Sequence, residues 1–128
     1  MGDMSPNFNR SEFACHDGCG LNSIDPRTVQ ALQKARDKLG EPIMITSGCR
    51  CVRHNAAVGG AQDSQHLKRN GCTASDVTTR KMSPAEFADW VEENIPEFAN
   101  GGIGRYPGWT HVDLGPRRRW GIAKLGGE

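Results

Sequence analysis

The sequence has almost no excess of charge of either sign: its 16 basic and 15 acidic residues leave a formal net charge of +1. It therefore lacks the broad field that draws proteins to DNA, RNA or anionic bilayers, and we expect no nucleic-acid or membrane partner. No apolar run approaches the ~18 residues of a membrane span, and residues 1–10 (MGDMSPNFNR) lack the apolar centre of a secretory signal. We expect the protein to be made in the cytoplasm.

Large apolar side chains are scarce as well. Leu, Ile, Val and Phe account for 22 of the 128 residues, a fraction that accompanies disorder only when the net charge is high, which is not the case here. No internal repeat or linker-like segment divides the chain, and its length suits one folding unit. We therefore predict a single loop-rich domain over residues 1–128, with a short cysteine-containing segment at its amino end, and expect a monomer.

Local signals predict two helices and four strands. The first helix begins at Asp25-Pro26, an N-cap followed by proline, and ends at Gly40; the second begins with a capping box at Ser83 and ends at Pro96. The predicted strands are residues 42–47 (PIMITS, interpreted as buried), 74–79 (ASDVTT), 101–106 (GGIGRY) and 109–114 (WTHVDL), the last two forming a hairpin around a Pro-Gly turn. This order predicts an α+β domain with helices on one face of a largely antiparallel sheet.

The last predicted strand carries reactive side chains on one face. Because side chains alternate along a strand, His111 and Asp113 share a face, either as a metal ligand with its neighbour or as a surface ion pair. Upstream, His66 and Asp76 flank a glycine-containing loop and could meet across it. Two imidazoles and one carboxylate form a set that catalytic zinc sites use. A chain with four histidines and 15 acids nevertheless offers many such triples.

Arg50 follows the first predicted strand, just after the turn at Gly48. Its planar guanidinium fork suits carboxylates and oxyanions. An ordinary surface arginine is the alternative.

Taken in order, these segments resemble the zinc D-Ala-D-Ala peptidase family of bacterial cell-wall hydrolases, which includes carboxypeptidases and phage endolysins. The resembling motifs are Phe13-Ala14-Cys15, Cys19-Gly20, Ile45-Thr46-Ser47-Gly48-Cys49-Arg50-Cys51, His54-Asn55-Ala56-Ala57-Val58-Gly59-Gly60-Ala61, Ser64-Gln65-His66, Gly102-Ile103-Gly104-Arg105-Tyr106, His111-Val112-Asp113 and Arg119-Trp120-Gly121. The resemblance implies a hedgehog/DD-peptidase-like fold and zinc held by His66, Asp76 and His111. It also implies that Arg50 contacts the substrate carboxylate or the developing oxyanion, and that Ser64 lies near the substrate. The alternative role of Ser64 is to bond its own loop.

The interval between the first two predicted ligands departs from the family pattern. Relatives usually place the aspartate seven residues after the histidine, whereas Asp76 follows His66 by ten. We place the insertion in residues 68–73, because the Ala-x-Asp ending of the family motif is kept at Asp76. Asp63 is the fallback ligand.

The general base is the second departure. The positions at which relatives carry a carboxylate or a second histidine hold Gly108 and Trp109, neither of which takes a proton. Asp113 remains as a catalytic candidate. It would either accept the proton of the attacking water or orient His111 as a ligand, and both roles stay open.

Cysteine usage leaves a further question open. Asp17 stands where relatives often have another cysteine, within a set of five that comprises Cys15, Cys19, Cys49, Cys51 and Cys72. The sequence allows a disulfide or a structural zinc site separate from the first. We assign none of the five as a nucleophile.

The basic run at residues 117–119 is the densest in the chain. We predict a solvated tail that contacts the sheet, with weak attraction to anionic wall polymers as a minor role. Trp120 is expected to pack on the domain.

The resulting functional prediction is zinc-dependent hydrolysis of peptide bonds in the stem or cross-bridge peptides of bacterial peptidoglycan. A wall hydrolase without a signal sequence would act after release, as a phage or prophage endolysin does. Two alternatives are a non-catalytic zinc-binding module of the same fold and a structural or wall-puncturing component of a phage particle. The sequence does not say which bond is cut, or whether the action is that of an endopeptidase or a carboxypeptidase.

Overall fold

The computed structural model describes residues 2–121. Its helices are α1 (Pro26–Leu39), α2 (Val52–Ala57), α3 (Pro84–Asn94) and α4 (Pro96–Ala99), with 3-10 turns at Arg10–Phe13 and Lys68–Asn70. Its strands are β1 (Ile43–Ser47), β2 (Ser75–Thr79), β3 (Gly102–Arg105), β4 (Thr110–Asp113) and β5 (Arg118–Gly121). Within this part of the chain, no helix has the length and apolar character needed to cross a membrane.

The five strands form one sheet in the order β1-β2-β4-β3-β5. Every neighbouring pair is antiparallel except β3 and β5, which run parallel. The core lies on one face of the sheet, where Val77, Ile103 and Val112 pack in one cluster with Leu32 of α1 and Phe87 of α3. The predicted α+β architecture is therefore confirmed.

Both predicted helices begin at the residues that the sequence indicated. The Asp25 side chain accepts a hydrogen bond from the Arg27 backbone N–H, and α1 ends at Gly40, whose φ of 75° is left-handed. Ser83 forms the capping box at the start of α3. Pro96 does end α3 but also begins the short helix α4, which the sequence analysis did not predict.

The interpretation of residues 42–47 as a fully buried strand is wrong. β1 is an edge strand of the sheet, and burial alternates along it, from Ile43 in the core to Met44, which is 37% exposed. Its apolar character arises because one face packs on the helices. The side chains on the other face of β1, such as that of Met44, are exposed to solvent.

The basic run does contact the sheet, but as a strand rather than as a solvated tail; Arg117, which precedes the strand, is 60% exposed. Arg118 and Arg119 belong to β5, which extends the sheet beside β3. The Arg119 guanidinium donates to the backbone carbonyls of Ala99 (2.6 Å) and Gly101 (2.8 Å). Its charge is therefore used to satisfy carbonyl groups at the end of α4, and its side chain is only 12% exposed.

Candidate metal centre and its cleft

The sheet register places the reactive side chains in two rows across the face opposite the helices. In the first row, Asp76 of β2 pairs with His111 of β4, which pairs with Gly104 of β3, which pairs with Trp120 of β5. Alternate residues of each strand lie on the same face, so the next row on β4 carries Asp113. The polar face predicted for His111 and Asp113 is thereby made by four adjacent strands.

His66 joins this row from the loop before β2. Its backbone lies beside Arg50, whose N–H donates to the His66 carbonyl at 2.8 Å. After it, residues 68–73 make a 3-10 turn and a left-handed turn at Gly71 (φ 94°), which returns the chain to β2. Residues 68–73, where the sequence predicts the insertion, form this compact turn, and Asp76 faces His66.

Three ligand atoms converge at this point. His66 Nε2 lies 3.2 Å and His111 Nδ1 lies 3.1 Å from the same atom, Asp76 Oδ1. The potential ligand atoms of the three residues all lie within 4.8 Å of one another, and all three residues are buried. The three residues predicted to hold zinc are therefore brought together.

The remaining ring nitrogens have partners that can only accept hydrogen bonds. His66 Nδ1 lies 2.5 Å from the Gly48 carbonyl oxygen, and His111 Nε2 lies 2.6 Å from Asp113 Oδ2. Each of these nitrogens must therefore carry the proton, which leaves the lone pairs of His66 Nε2 and His111 Nδ1 aimed at Asp76 in the neutral rings. Two lone pairs and a carboxylate oxygen that face one point form a donor set that a bound cation would satisfy. The donor set thus fits zinc.

Burial and hydrogen bonding set the protonation of this cluster. Burial lowers the pKa of His66, which favours its neutral form. Burial alone would raise the pKa of Asp76, but the hydrogen bonds and positive charge that His111 and His66 provide when their rings are protonated outweigh it and hold that pKa far below its usual range. Burial would likewise lower the pKa of His111, whereas the Asp113 and Asp76 carboxylates raise it. Asp76 is therefore anionic throughout the neutral range.

Asp113 is fully buried and fully engaged. Its Oδ2 accepts from His111 Nε2 at 2.6 Å and from Arg118 at 2.7 Å. Its Oδ1 accepts from the backbone N–H groups of Gly102 (3.0 Å) and Gly115 (2.8 Å). Of the two predicted roles, this geometry favours orientation of His111, because each carboxylate oxygen already has two donors.

Arg50 borders the cluster and holds its carboxylate. Its Nη2 donates to Asp76 Oδ2 at 3.1 Å, and its Nη1 donates to Asn55 Oδ1 at 3.1 Å. A Cβ atom added to Gly60 would lie 2.1 Å from Asn55 Oδ1 and 2.9 Å from Arg50 Nη1, so glycine is required there. Arg50 therefore has a second task beside the predicted substrate contact, namely to fix the second oxygen of Asp76.

A cleft of about 460 Å³ opens above the three convergent residues. Ser64 lines it, and its Oγ also accepts from the His66 backbone N–H at 3.1 Å, so both roles considered for Ser64 are compatible with its position. Asp63 lies on the cleft with a side chain that is 97% exposed, outside the convergent group. The full lining comprises Arg50, Val58, Gly59, Gly60, Ala61, Asp63, Ser64, Gln65, His66, Asp76, Tyr106, Trp109, His111, Arg118 and Trp120.

One wall of the cleft is aromatic, and the sequence analysis did not assign it to the site. Tyr106 and Trp109 stack with ring centroids 4.7 Å apart, and the Trp120 ring lies 4.9 Å from that of His111. Trp120 Nε1 donates to the Tyr106 hydroxyl oxygen at 2.7 Å. The sequence feature that accompanies this wall is the glycine in the middle of β3. A Cβ on Gly104 would lie 2.5 Å from the Trp120 ring, so the glycine leaves the space that the ring occupies.

A family model described as Peptidase M15 matches residues 6–113. The matched span includes Arg50, Ser64 and Asp113 together with the three convergent residues, whereas β5 lies beyond it. No curated protein matches the chain.

Proposed function

The chain belongs to the Peptidase M15 family of zinc peptidases, and from this membership we propose that it hydrolyses peptide bonds in the stem or cross-bridge peptides of bacterial peptidoglycan. The observation that carries the proposal is the convergence of His66, Asp76 and His111 on one point at the base of a cleft. The volume of that cleft, about 460 Å³, and its mixture of charged and aromatic side chains suit a short peptide.

The metal would be held by His66, Asp76 and His111. When bound, zinc supplies Lewis acidity that polarises a scissile carbonyl and lowers the pKa of water. The chain's own residues prepare the ligands: the Gly48 carbonyl oxygen fixes the His66 ring, and Asp113 fixes the His111 ring. We propose Asp113 as a positioning residue on this ground.

Charge and surface character support a peptide with a free carboxylate. Two guanidinium groups, those of Arg50 and Arg118, line the cleft, and guanidinium binds carboxylates through paired hydrogen bonds. Arg50 would also stabilise negative charge on a scissile carbonyl oxygen, because it lies beside Asp76. The rings of Tyr106 and Trp109 also line the cleft and offer a flat apolar wall for the alanyl and aliphatic parts of stem peptides.

A second candidate function is a zinc-binding module without hydrolytic activity. Among the residues that line the cleft, the carboxylates are Asp76, a proposed ligand, and Asp63, which is exposed on its rim. No proton acceptor therefore lies next to the proposed metal position in the described lining. This observation is what favours the second candidate.

The test is digestion of purified peptidoglycan with zinc-loaded protein, followed by mass spectrometry of the released fragments. We expect fragments that share one cleaved bond type, and their loss in His111→Ala together with loss of bound zinc. His54→Gln is the matched control, because the His54 side chain is outside the cleft lining. Protein that retains zinc yet releases no fragment across a range of pH would overturn hydrolysis and support the second candidate.

A further inference from the structure

A second group of metal-binding side chains lies outside the cleft. Cys15, Asp17, Cys19 and Cys51 place one ligand atom each within 4.8 Å of all the others. Three of these residues come from one short segment after the 3-10 turn at Arg10–Phe13, and Cys51 comes from the residue before α2. Two segments distant in sequence thus bring sulfur and carboxylate atoms together.

The distances match those of a tetrahedral site. Two sulfur atoms bound to one zinc ion at about 2.3 Å each lie roughly 3.8 Å apart at the tetrahedral angle. Cys15 Sγ and Cys51 Sγ are 3.9 Å apart. The Asp17 carboxylate reaches both, with Oδ1 at 3.3 Å from Cys15 Sγ and Oδ2 at 3.0 Å from Cys51 Sγ. A disulfide would need the sulfurs at about 2.05 Å.

The sequence spacing of the cysteines and the backbone N–H groups beside their sulfur atoms also fit a zinc site. Cys15 and Cys19 are separated by three residues, within the two to four that structural zinc sites use. The Cys51 N–H donates to Cys15 Sγ at 3.5 Å, and the His54 N–H donates to Cys51 Sγ at 3.3 Å. Donors of this kind stabilise negative charge on ligand sulfur atoms. The Arg53 guanidinium, 3.2 Å from Asp17 Oδ2, orients the carboxylate from the solvent side.

We propose that Cys15, Asp17, Cys19 and Cys51 form a structural zinc site, separate from the site in the cleft. Three thiolates and one carboxylate form a donor set that selects zinc among common biological metals, and four protein ligands leave no open position for substrate. The site would close a loop between Cys15 and Cys51, which are 36 positions apart in the sequence. It would also hold the residue that follows Arg50, and thus the turn that presents Arg50 to Asp76.

Cobalt substitution separates this site from the one in the cleft, because only thiolate ligands give sulfur-to-cobalt charge-transfer absorption. We expect the reduced protein to bind two equivalents of Zn²⁺ or Co²⁺ and to show that absorption. His66→Ala should bind one equivalent and keep the band. Cys51→Ser and Cys19→Ser each remove one of the three thiolates, so each should bind the second equivalent more weakly and lose at least about one third of the band intensity. Cys49→Ala, a buried cysteine outside both clusters, should bind two equivalents and keep the full band.

A measurement on the unaltered chain keeps the test valid if a cysteine variant does not fold. Of the five thiols, we expect the three in the cluster to be protected from a thiol reagent by Zn²⁺ and to become reactive after chelation. Folded protein that binds metal without charge-transfer absorption, or that carries a Cys15–Cys51 disulfide when purified without reductant and binds no second equivalent after reduction, would overturn the proposal. Failure to cut peptidoglycan bears only on the cleft.

Discussion

Asp113→Asn is the substitution that best separates the two roles considered for this residue. Asparagine keeps the shape of the side chain, and its carbonyl oxygen can still accept from the backbone N–H groups of Gly102 and Gly115. Its amide group, however, would replace the oxygen that accepts from His111 Nε2 and Arg118. A donor would then face two donors.

The expected effect follows from the ring of His111. To bond the new amide, its Nε2 must become an acceptor, which moves the proton to Nδ1, the atom that faces Asp76. Loss of a carboxylate partner from a ligand histidine typically costs 10–100-fold in metal affinity or activity. Because Asp113 is 0% exposed and no water can replace the lost acceptor, we expect the upper end. A 100-fold loss corresponds to about 2.7 kcal/mol of binding free energy.

The assay is competition for zinc against a chelator of known affinity, run beside peptidoglycan digestion at saturating zinc. We expect weakened zinc binding and activity that partly returns when zinc is in excess. Asp63→Asn, an exposed carboxylate on the rim of the cleft, is the control and should bind zinc normally. Unchanged zinc affinity in Asp113→Asn, with activity abolished at saturating zinc, would refute the orientation argument and assign Asp113 as the proton acceptor.

Three further changes test the packing around the site. Gly104→Ala should displace the Trp120 ring, since the new Cβ would lie 2.5 Å from it, and should lower activity while zinc content is kept. Ser83→Ala removes the α3 cap and should lower the free energy of unfolding by about 1 kcal/mol in urea denaturation, without loss of activity. In Glu92→Gln, the free energy of unfolding should depend less on pH in the acidic range than it does in the unaltered protein. Arg105 holds the pKa of Glu92 below its ordinary value of 4.5, so the carboxylate stabilises the fold above that pH and loses its contribution as the pH falls through the lowered pKa.

Elements with strong local signals were predictable from the sequence. The two long helices begin at Asp25 and Ser83, whose side chains cap the first turn irrespective of the rest of the fold. The hairpin of β3 and β4 follows from one turn dipeptide between two short runs of strand-forming residues. In each case the information lies within a few residues of the element.

Elements held by distant contacts were missed. Residues 118–121 have no apolar alternation, and their arginines indicated solvent, yet β5 is defined by pairing with β3 and by the carbonyl groups that Arg119 satisfies. The six residues of α2 have no amphipathic pattern, and the helix is capped by the Cys51 sulfur, which accepts from the His54 N–H. Such interactions become visible only when the chain is folded.

The candidate ligands were predictable from the sequence only in part. Alternation along β4 predicts that His111 and Asp113 share a face, and family motifs suggest His66 and Asp76 as their companions. The direction in which each ring points depends on the Gly48 carbonyl and on Asp113, and only the first of these is far from its ring in sequence. The sequence therefore predicts which residue types form the site. It does not predict which ring nitrogen carries the proton and which one keeps a lone pair for a metal ion.

The apolar face of the sheet sets the strand register that aligns Asp76 with His111 on the polar face. Side chains alternate, so the register that aligns Asp76 with His111 also aligns Ile103 with Val112 on the helix side. A slip of β4 by one residue would turn His111 into the core and Val112 towards the cleft. Withdrawing a single large apolar side chain from the core costs about 1.5–3 kcal/mol, before counting the charge that would enter it. The apolar face therefore enforces the arrangement of side chains on the opposite face, and the candidate metal centre needs no register signal of its own.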